Sequence, residues 1–288
     1  VLTEEPDHSA KTVRIDAHHH FWKYDPGEFG WINDEMKIIR RDFLPADLQR
    51  ATNAARIDGV ISVQARQTLE ETKWLLQMAV ENEFIKGVVG WLPLVSKQVS
   101  DELEFLGSSP KLKGVRQVLQ GEPDERYLRN HEFKAGIRGL KQFDLVYDLL
   151  IFEHQLPATI EFVDRHPAQP FVLDHLAKPR IKDGHFEPWN KSIRELARRE
   201  NVSCKLSGMV TEADWSTWTE EQLKPYFETV LESFGSNRLM FGSDWPVCLV
   251  AGSYQRWMET CEGLAAKLSA SERGQLFGET ATRIYGLE

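Results

Sequence analysis

The stretch VRIDAHHHFW, residues 13–22, opens as a short extended run, carries one carboxylate inside it and ends on three histidines in succession. Side chains of a β-strand alternate between its two faces with a period of two, so His18 and His20 point one way and His19 the other. A strand that delivers paired imidazoles at its C-terminal end suits the rim of a parallel barrel, where such folds gather their chemistry.

Working outward, TVRIDA (12–17) is the first of eight comparable runs. The others are GVISVQ (59–64), GVVGWL (87–92), LKGVRQV (112–118), LVYDLLI (145–151), PFVLDH (170–175), NVSCKLS (201–207) and RLMFGS (238–243). Between them lie stretches with apolar residues at helical spacing, such as TLEETKWLLQMAVEN (68–82), where Leu69, Trp74, Leu75 and Met78 share one side. LPATIEFVDRH (156–166), NKSIRELARRE (190–200), EEQLKPYFETVLESF (220–234) and SYQRWMETCEGLAAKL (253–268) read the same way. Strands alternating with helices imply parallel pairing through right-handed crossovers, and eight such units close a barrel. The expected fold is therefore an α/β (β/α)8 TIM barrel of one domain over 13–288, with residues 1–12 as a flexible segment.

The chain's 288 residues match the roughly 250 typical of such a barrel. Its net charge of −9, with no dominant basic run, excludes a nucleic-acid footprint. No window reaches the ~20 apolar residues of a membrane span. Three widely spaced cysteines, Cys204, Cys248 and Cys261, form neither a disulfide framework nor a zinc knuckle, and fit a reducing, cytoplasmic setting. Oligomeric state is left open.

Three strand ends carry chemistry to one rim: His18 and His20 after strand 1, His175 after strand 6 and Asp244 just beyond strand 8. Asp16 is available to orient the pair. Charged groups at strand ends cost desolvation if they merely fill space, so the set weighs more than any member. The Gly- and aromatic-rich region from KYDPGEFGWINDEMK (23–37) to FLP (43–45) follows strand 1 and is a candidate lid.

With these residues in view, the chain resembles the amidohydrolase superfamily, and within it a fuconolactonase-like branch that includes sugar lactonases and 2-pyrone-4,6-dicarboxylate lactonase. The resemblance rests on IDAHHHFW, FLPADL (43–48), VQARQTLEETKWLL (63–76), GVVGWLPL (87–94), LKGVRQVLQ (112–120), FDLVYDLL, FVLDHLAKP, CKLSGM (204–209) and LMFGSDWPV (239–247). It implies hydrolysis of a ring ester: Asp244 as general base toward water, with His18, His20 and His175 polarising the carbonyl.

Metal-dependent members add ligands after strands 4 and 5, where this chain has RQVLQ and YDLLIFEH. Gln120 is a weak ligand and His154 lies past the strand, so a binuclear centre is not expected. A single divalent ion such as zinc on His18, His20 and Asp244 would form an open site. The branch resemblance implies that no metal is essential.

Substrate contacts are expected from Arg66 and Gln67 after strand 2, Arg116 and Gln120 around the end of strand 4, Trp31 in the lid, and Lys178. A dicarboxylate lactone would need several converging arginines. Two candidates favour instead a neutral aldonolactone of fucono-, galactono- or rhamnono-type. A metal-dependent decarboxylase and a non-catalytic small-ligand binder are the competing readings.

Overall fold

The computed structural model describes residues 12–122, 128 and 130–288. The segment 1–12 therefore lies outside the described residues except for Thr12. Eight parallel strands follow one another around a single sheet: β1 (Ile15–His19), β2 (Gly59–Val63), β3 (Ile85–Gly90), β4 (Leu112–Val118), β5 (Val146–Leu150), β6 (Phe171–Leu173), β7 (Val202–Leu206) and β8 (Leu239–Phe241). The ring closes just beyond β8, where His19 bridges Trp245 and the His20 amide donates to the Trp245 carbonyl at 2.7 Å. This is the (β/α)8 barrel expected.

The strands are buried on both faces, so they read as near-continuous apolar runs instead of alternating ones. Inside the barrel, Ile61, Val89, Val146, Val172 and Met240 pack on Tyr285, from the C-terminal helix Thr280–Tyr285. Outside, helices such as Leu69–Glu81 and Glu220–Phe234 cover the wall. Five of the crossover helices match the helical stretches expected from the sequence, and Pro45–Ala54, Val99–Gly107 and His131–Leu140 are further helices not among them.

The region after β1 folds over the C-terminal rim. It contains a 3-10 turn at Asp34–Ile39, and Trp22 pairs backbone to backbone with Phe43 before Pro45 opens the first helix. Phe43 meets the indole of Trp245 edge-on at 5.0 Å, which fastens this insert beside the end of β8.

Candidate active site

Within β1 the pairing register shifts between Asp16 and His19. The shift separates Ile15 and Ala17, which join the inner core, from the strand end, whose histidines reach the rim. His18 and His20 converge, their Nε2 atoms 3.2 Å apart. His19 turns away and meets the Ser62 hydroxyl through Nε2 at 2.9 Å. Asp16 orients backbone in place of a ring: it accepts from the amides of His18 (3.1 Å) and Ser243 (2.8 Å) and from the Tyr254 hydroxyl (3.0 Å). Burial pushes its carboxyl up to about 6.

Asp244 stands over the pair. Its Oδ1 lies 3.4 Å from His20 Nε2, 3.8 Å from His18 Nε2 and 4.0 Å from His175 Nε2. Burial alone would raise this carboxyl, but His175, His20 and His18 together outweigh it and hold Asp244 well below the usual carboxylate range. His175 is driven down to about 4 by its own burial, and burial takes His18 far below the usual imidazole range. Burial thus favours the neutral form of His18 and His175 beside the Asp244 carboxylate.

Both flanking elements hold unusual backbone. Residues 175–178 all have positive φ, between 51° and 59°, and Asp244 has φ 55°. Left-handed backbone costs an L-residue roughly 1–2 kcal/mol, so such a run persists only where surroundings enforce it. Here the Trp189 indole donates to the Leu176 carbonyl at 2.7 Å, and Ser207 Oγ meets His175 Nδ1 at 2.8 Å.

Beneath the histidines lies a layer of charge. Arg116 on β4 donates to Asp174 Oδ2 at 2.9 Å and to Gln64, with its Nη1 3.4 Å from His18 Nε2. Lys205 on β7 reaches Asp148 at 2.5 Å and Asp174 at 3.1 Å, and Tyr285 donates to Asp148 at 2.8 Å. Burial raises Asp148 to about 6 despite Lys205. Asp174 resists the same burial and lies well below its ordinary value, because Lys205, His18 and Arg116 all flank it.

Asp148, Asp174, Lys205 and Ser207 were missed in the sequence. A signal was present for two of them, since a charged residue in the middle of LVYDLLI or NVSCKLS can only face the barrel interior or break the strand.

The remaining predicted contacts scatter. Arg116 is almost wholly buried below His18. Arg66 pairs with Glu28 of the insert, beside a recess of about 360 Å³ also lined by Trp22 and Trp74. Gln67 accepts from the Val118 amide at 2.9 Å, and Gln120 reaches the Ile151 carbonyl at 3.4 Å. Lys178 pairs with Glu212 at 3.1 Å. Trp31 is 46% exposed and stands edge-on to Trp22. His154 is exposed and stacks on Phe152.

His18, His20 and Asp244 fit a divalent ion. Ligand atoms of a tetrahedral zinc, each about 2.0–2.1 Å from the metal, stand about 3.3 Å from one another, and the three separations here are 3.2, 3.4 and 3.8 Å. Charge points the same way. Arg116 and Lys205 balance Asp174 and Asp148, whereas the ion-pair partners of the Asp244 carboxylate within 4.0 Å are all imidazoles among the described residues.

The chain has relatives of similar length among known proteins. A protein of Burkholderia multivorans named L-fucono-1,5-lactonase is 41% identical over 293 residues, covering 96% of each chain. One of the same name from Burkholderia ambifaria is 35% identical, covering 96% of this chain and 97% of that protein. A crystal structure of an amidohydrolase from Burkholderia multivorans, with bound zinc, superposes with a TM-score of 0.93 at 40% identity, covering 96% of this chain and all of that one. The amidohydrolase family model runs from residue 15 to 287, so it takes in every strand end that feeds this rim. By both sequence and architecture, the chain belongs to the amidohydrolase family.

Proposed function

We propose that the protein hydrolyses the ring ester of a sugar-acid lactone, an aldonolactone of L-fucono-, L-galactono- or L-rhamnono-type, to the free acid, with no metal essential for turnover. The observation that carries this is the convergence of Asp244 with His18, His20 and His175 at one rim of the barrel. The names of the Burkholderia relatives support the substrate class. The buried, unpaired thiols of Cys204, Cys248 and Cys261 support a cytoplasmic setting, and no helix among the described residues is long and apolar enough to cross a membrane.

In this reading Asp244, kept ionised, takes a proton from water as the water oxygen bonds to the lactone carbonyl carbon. The imidazoles face the oxygen on which negative charge develops, and each well-placed donor there contributes about 3–4 kcal/mol. Collapse of the tetrahedral species breaks the ring C–O bond. Asp244 then returns its proton to the departing hydroxyl, leaving a hydroxy acid. His18, His20 and Asp244 are also the residues that would hold a divalent ion, which when bound supplies Lewis-acid polarisation and an acidified water.

Proton release measured on a panel of 1,4- and 1,5-aldonolactones, with and without chelator, tests the reading. Turnover should survive chelation and fall at least ~10³-fold in Asp244→Asn. Activity lost on chelation and restored by zinc would overturn the metal-independent part. The absence of turnover on every sugar lactone would overturn the substrate class.

A further inference from the structure

We propose that Arg66 is a positioning residue that clasps the insert after β1 over the barrel rim, acting through Glu28 of the insert and not on the lactone itself. The clasp stands on geometry, and its consequence for turnover rests on the lactonase reading above.

The two parts of the insert are held unequally. At its root, Trp22 and Phe43 exchange both backbone hydrogen bonds, at 3.1 and 2.9 Å, and Phe43 packs on Trp245. The turn at residues 25–29 has no such ladder. Its Glu28 and Phe29 amides both donate to the Asp25 carbonyl, at 3.1 and 2.9 Å. The recess of about 360 Å³ separates this turn from the helix Leu69–Glu81, with Lys23, Glu28 and Phe29 on one side and Glu70 and Trp74 on the other. Arg66 spans the gap. Among the described residues, its pair with Glu28 is the one ion pair that joins residues 23–31 to another part of the chain. Its guanidinium carbon also stands 5.9 Å from the centre of the Phe29 ring.

The footing of Arg66 is firm. Its own amide and that of Ala65 donate to Glu71 Oε2, at 2.7 and 3.1 Å, and its Nε lies 3.9 Å from Glu71 Oε1. Glu71 is buried in the first turn of the helix Leu69–Glu81, so the main chain of Arg66 is fixed to the barrel wall. Its side chain alone reaches out to the insert.

The route to the site runs through Trp22. The indole donates to the Arg41 carbonyl at 2.9 Å, meets the Phe29 ring at 5.5 Å and stacks on His20 at 6.4 Å with planes 26° apart. Releasing the turn draws Phe29 from Trp22 and loosens the wall beside His20. The Arg66 and Glu28 side chains are 26% and 49% exposed, and an ion pair so exposed is weak. The clasp can therefore yield to an entering lactone and close over it. Removing the pair lowers the closed population, and the apparent affinity for lactone falls by the same factor.

The test is a double-mutant cycle on the full chain, with Glu28→Gln and Arg66→Gln singly and together. It is read by hydrogen exchange of the Glu28, Phe29 and Ile32 amides and by KM for an aldonolactone. Each single variant should speed exchange about 2- to 5-fold, the range an exposed pair supports, and raise KM by a similar factor with kcat less affected. The double variant should go no further than either single one. Unchanged exchange in Glu28→Gln, a surface substitution that leaves the fold intact, overturns the clasp. So does a KM that Arg66→Gln raises as much in the Glu28→Gln background as in wild type, since Arg66 would then meet the lactone directly. Exchange coupled as expected in a chain that turns over no lactone would strike out the lactonase reading and leave the clasp standing.

Discussion

Gly208→Ala should disable the site through His175 without removing any polar group. Gly208 follows β7 with φ +67°, and a Cβ placed there would lie 2.6 Å from Nδ1, 2.7 Å from Cγ and 2.9 Å from Cβ of His175. Carbon settles about 3.5–4.0 Å from such neighbours, so the imidazole must retreat by about 1 Å. It cannot do so by rotating a flexible tip, because its own Cβ is among the clashing atoms and Ser207 holds Nδ1 at 2.8 Å. The left-handed backbone adds about 1–2 kcal/mol for an alanine. We therefore expect a stability loss of about 2–4 kcal/mol. A 1 Å displacement of a positioned group costs about 10²-fold in rate. Denaturant unfolding and lactone turnover, measured in a cycle with His175→Ala, separate the two effects. In the His175→Ala background, Gly208→Ala should leave kcat unchanged, because the ring it displaces is already gone. If Gly208→Ala retains kcat within threefold of wild type, or if the two losses multiply, His175 does not act from the seat that Gly208 keeps open.

Two further outcomes follow from buried charge and strained backbone elsewhere. Glu71 accepts the amides of Ala65 (3.1 Å) and Arg66 (2.7 Å), and its burial raises it to about 7. The folded state therefore holds a proton that the unfolded chain has released, and this contribution is full below about pH 4.5 and lost as pH rises through 7. The stability of wild type relative to Glu71→Gln should fall by up to about 3 kcal/mol between those pH values. Urea melts across the range test it, and a flat difference refutes it. Arg56 is exposed and left-handed at φ 56°, directly after the helix Pro45–Ala54 and its cap. Arg56→Gly should raise stability by about 0.5–1 kcal/mol with kcat unaltered; a loss of stability would contradict the strain assigned there.

Legibility in the sequence followed the physical origin of each feature. The barrel was readable because parallel strands buried on both faces leave apolar runs, and all eight lie within three residues of the strands observed. His18, His20, His175 and Asp244 were readable as polar groups at strand ends, where the barrel rim is. The layer below them was harder, because a charge inside an apolar run acquires meaning only from partners on other strands. Asp148, Asp174 and Lys205 come from β5, the turn after β6, and β7, and no local pattern links them. Arg66 and Arg116 illustrate the same limit. Both follow or end strands, but one is drawn to Glu28 at the mouth and the other to Asp174 in the interior.

The buried layer also places charge directly beneath the rim histidines. The Nε2 atoms of His18 and His20, 3.2 Å apart, are spaced for one proton or one cation between them. Lys205, held by Asp148 and Asp174, with Tyr285 in turn on Asp148, sets a cation beneath the pair in the barrel interior. The cost of desolvating these ion pairs is offset in part by the hydrogen bonds of Lys205 to Asp148 and of Arg116 to Asp174, while Asp174 Oδ1 and Arg116 Nε lack a hydrogen-bond partner among the described residues. Removing one member of the layer would leave a buried charge unpaired at a cost of about 3–5 kcal/mol, so the layer supports the fold as well as the site above it.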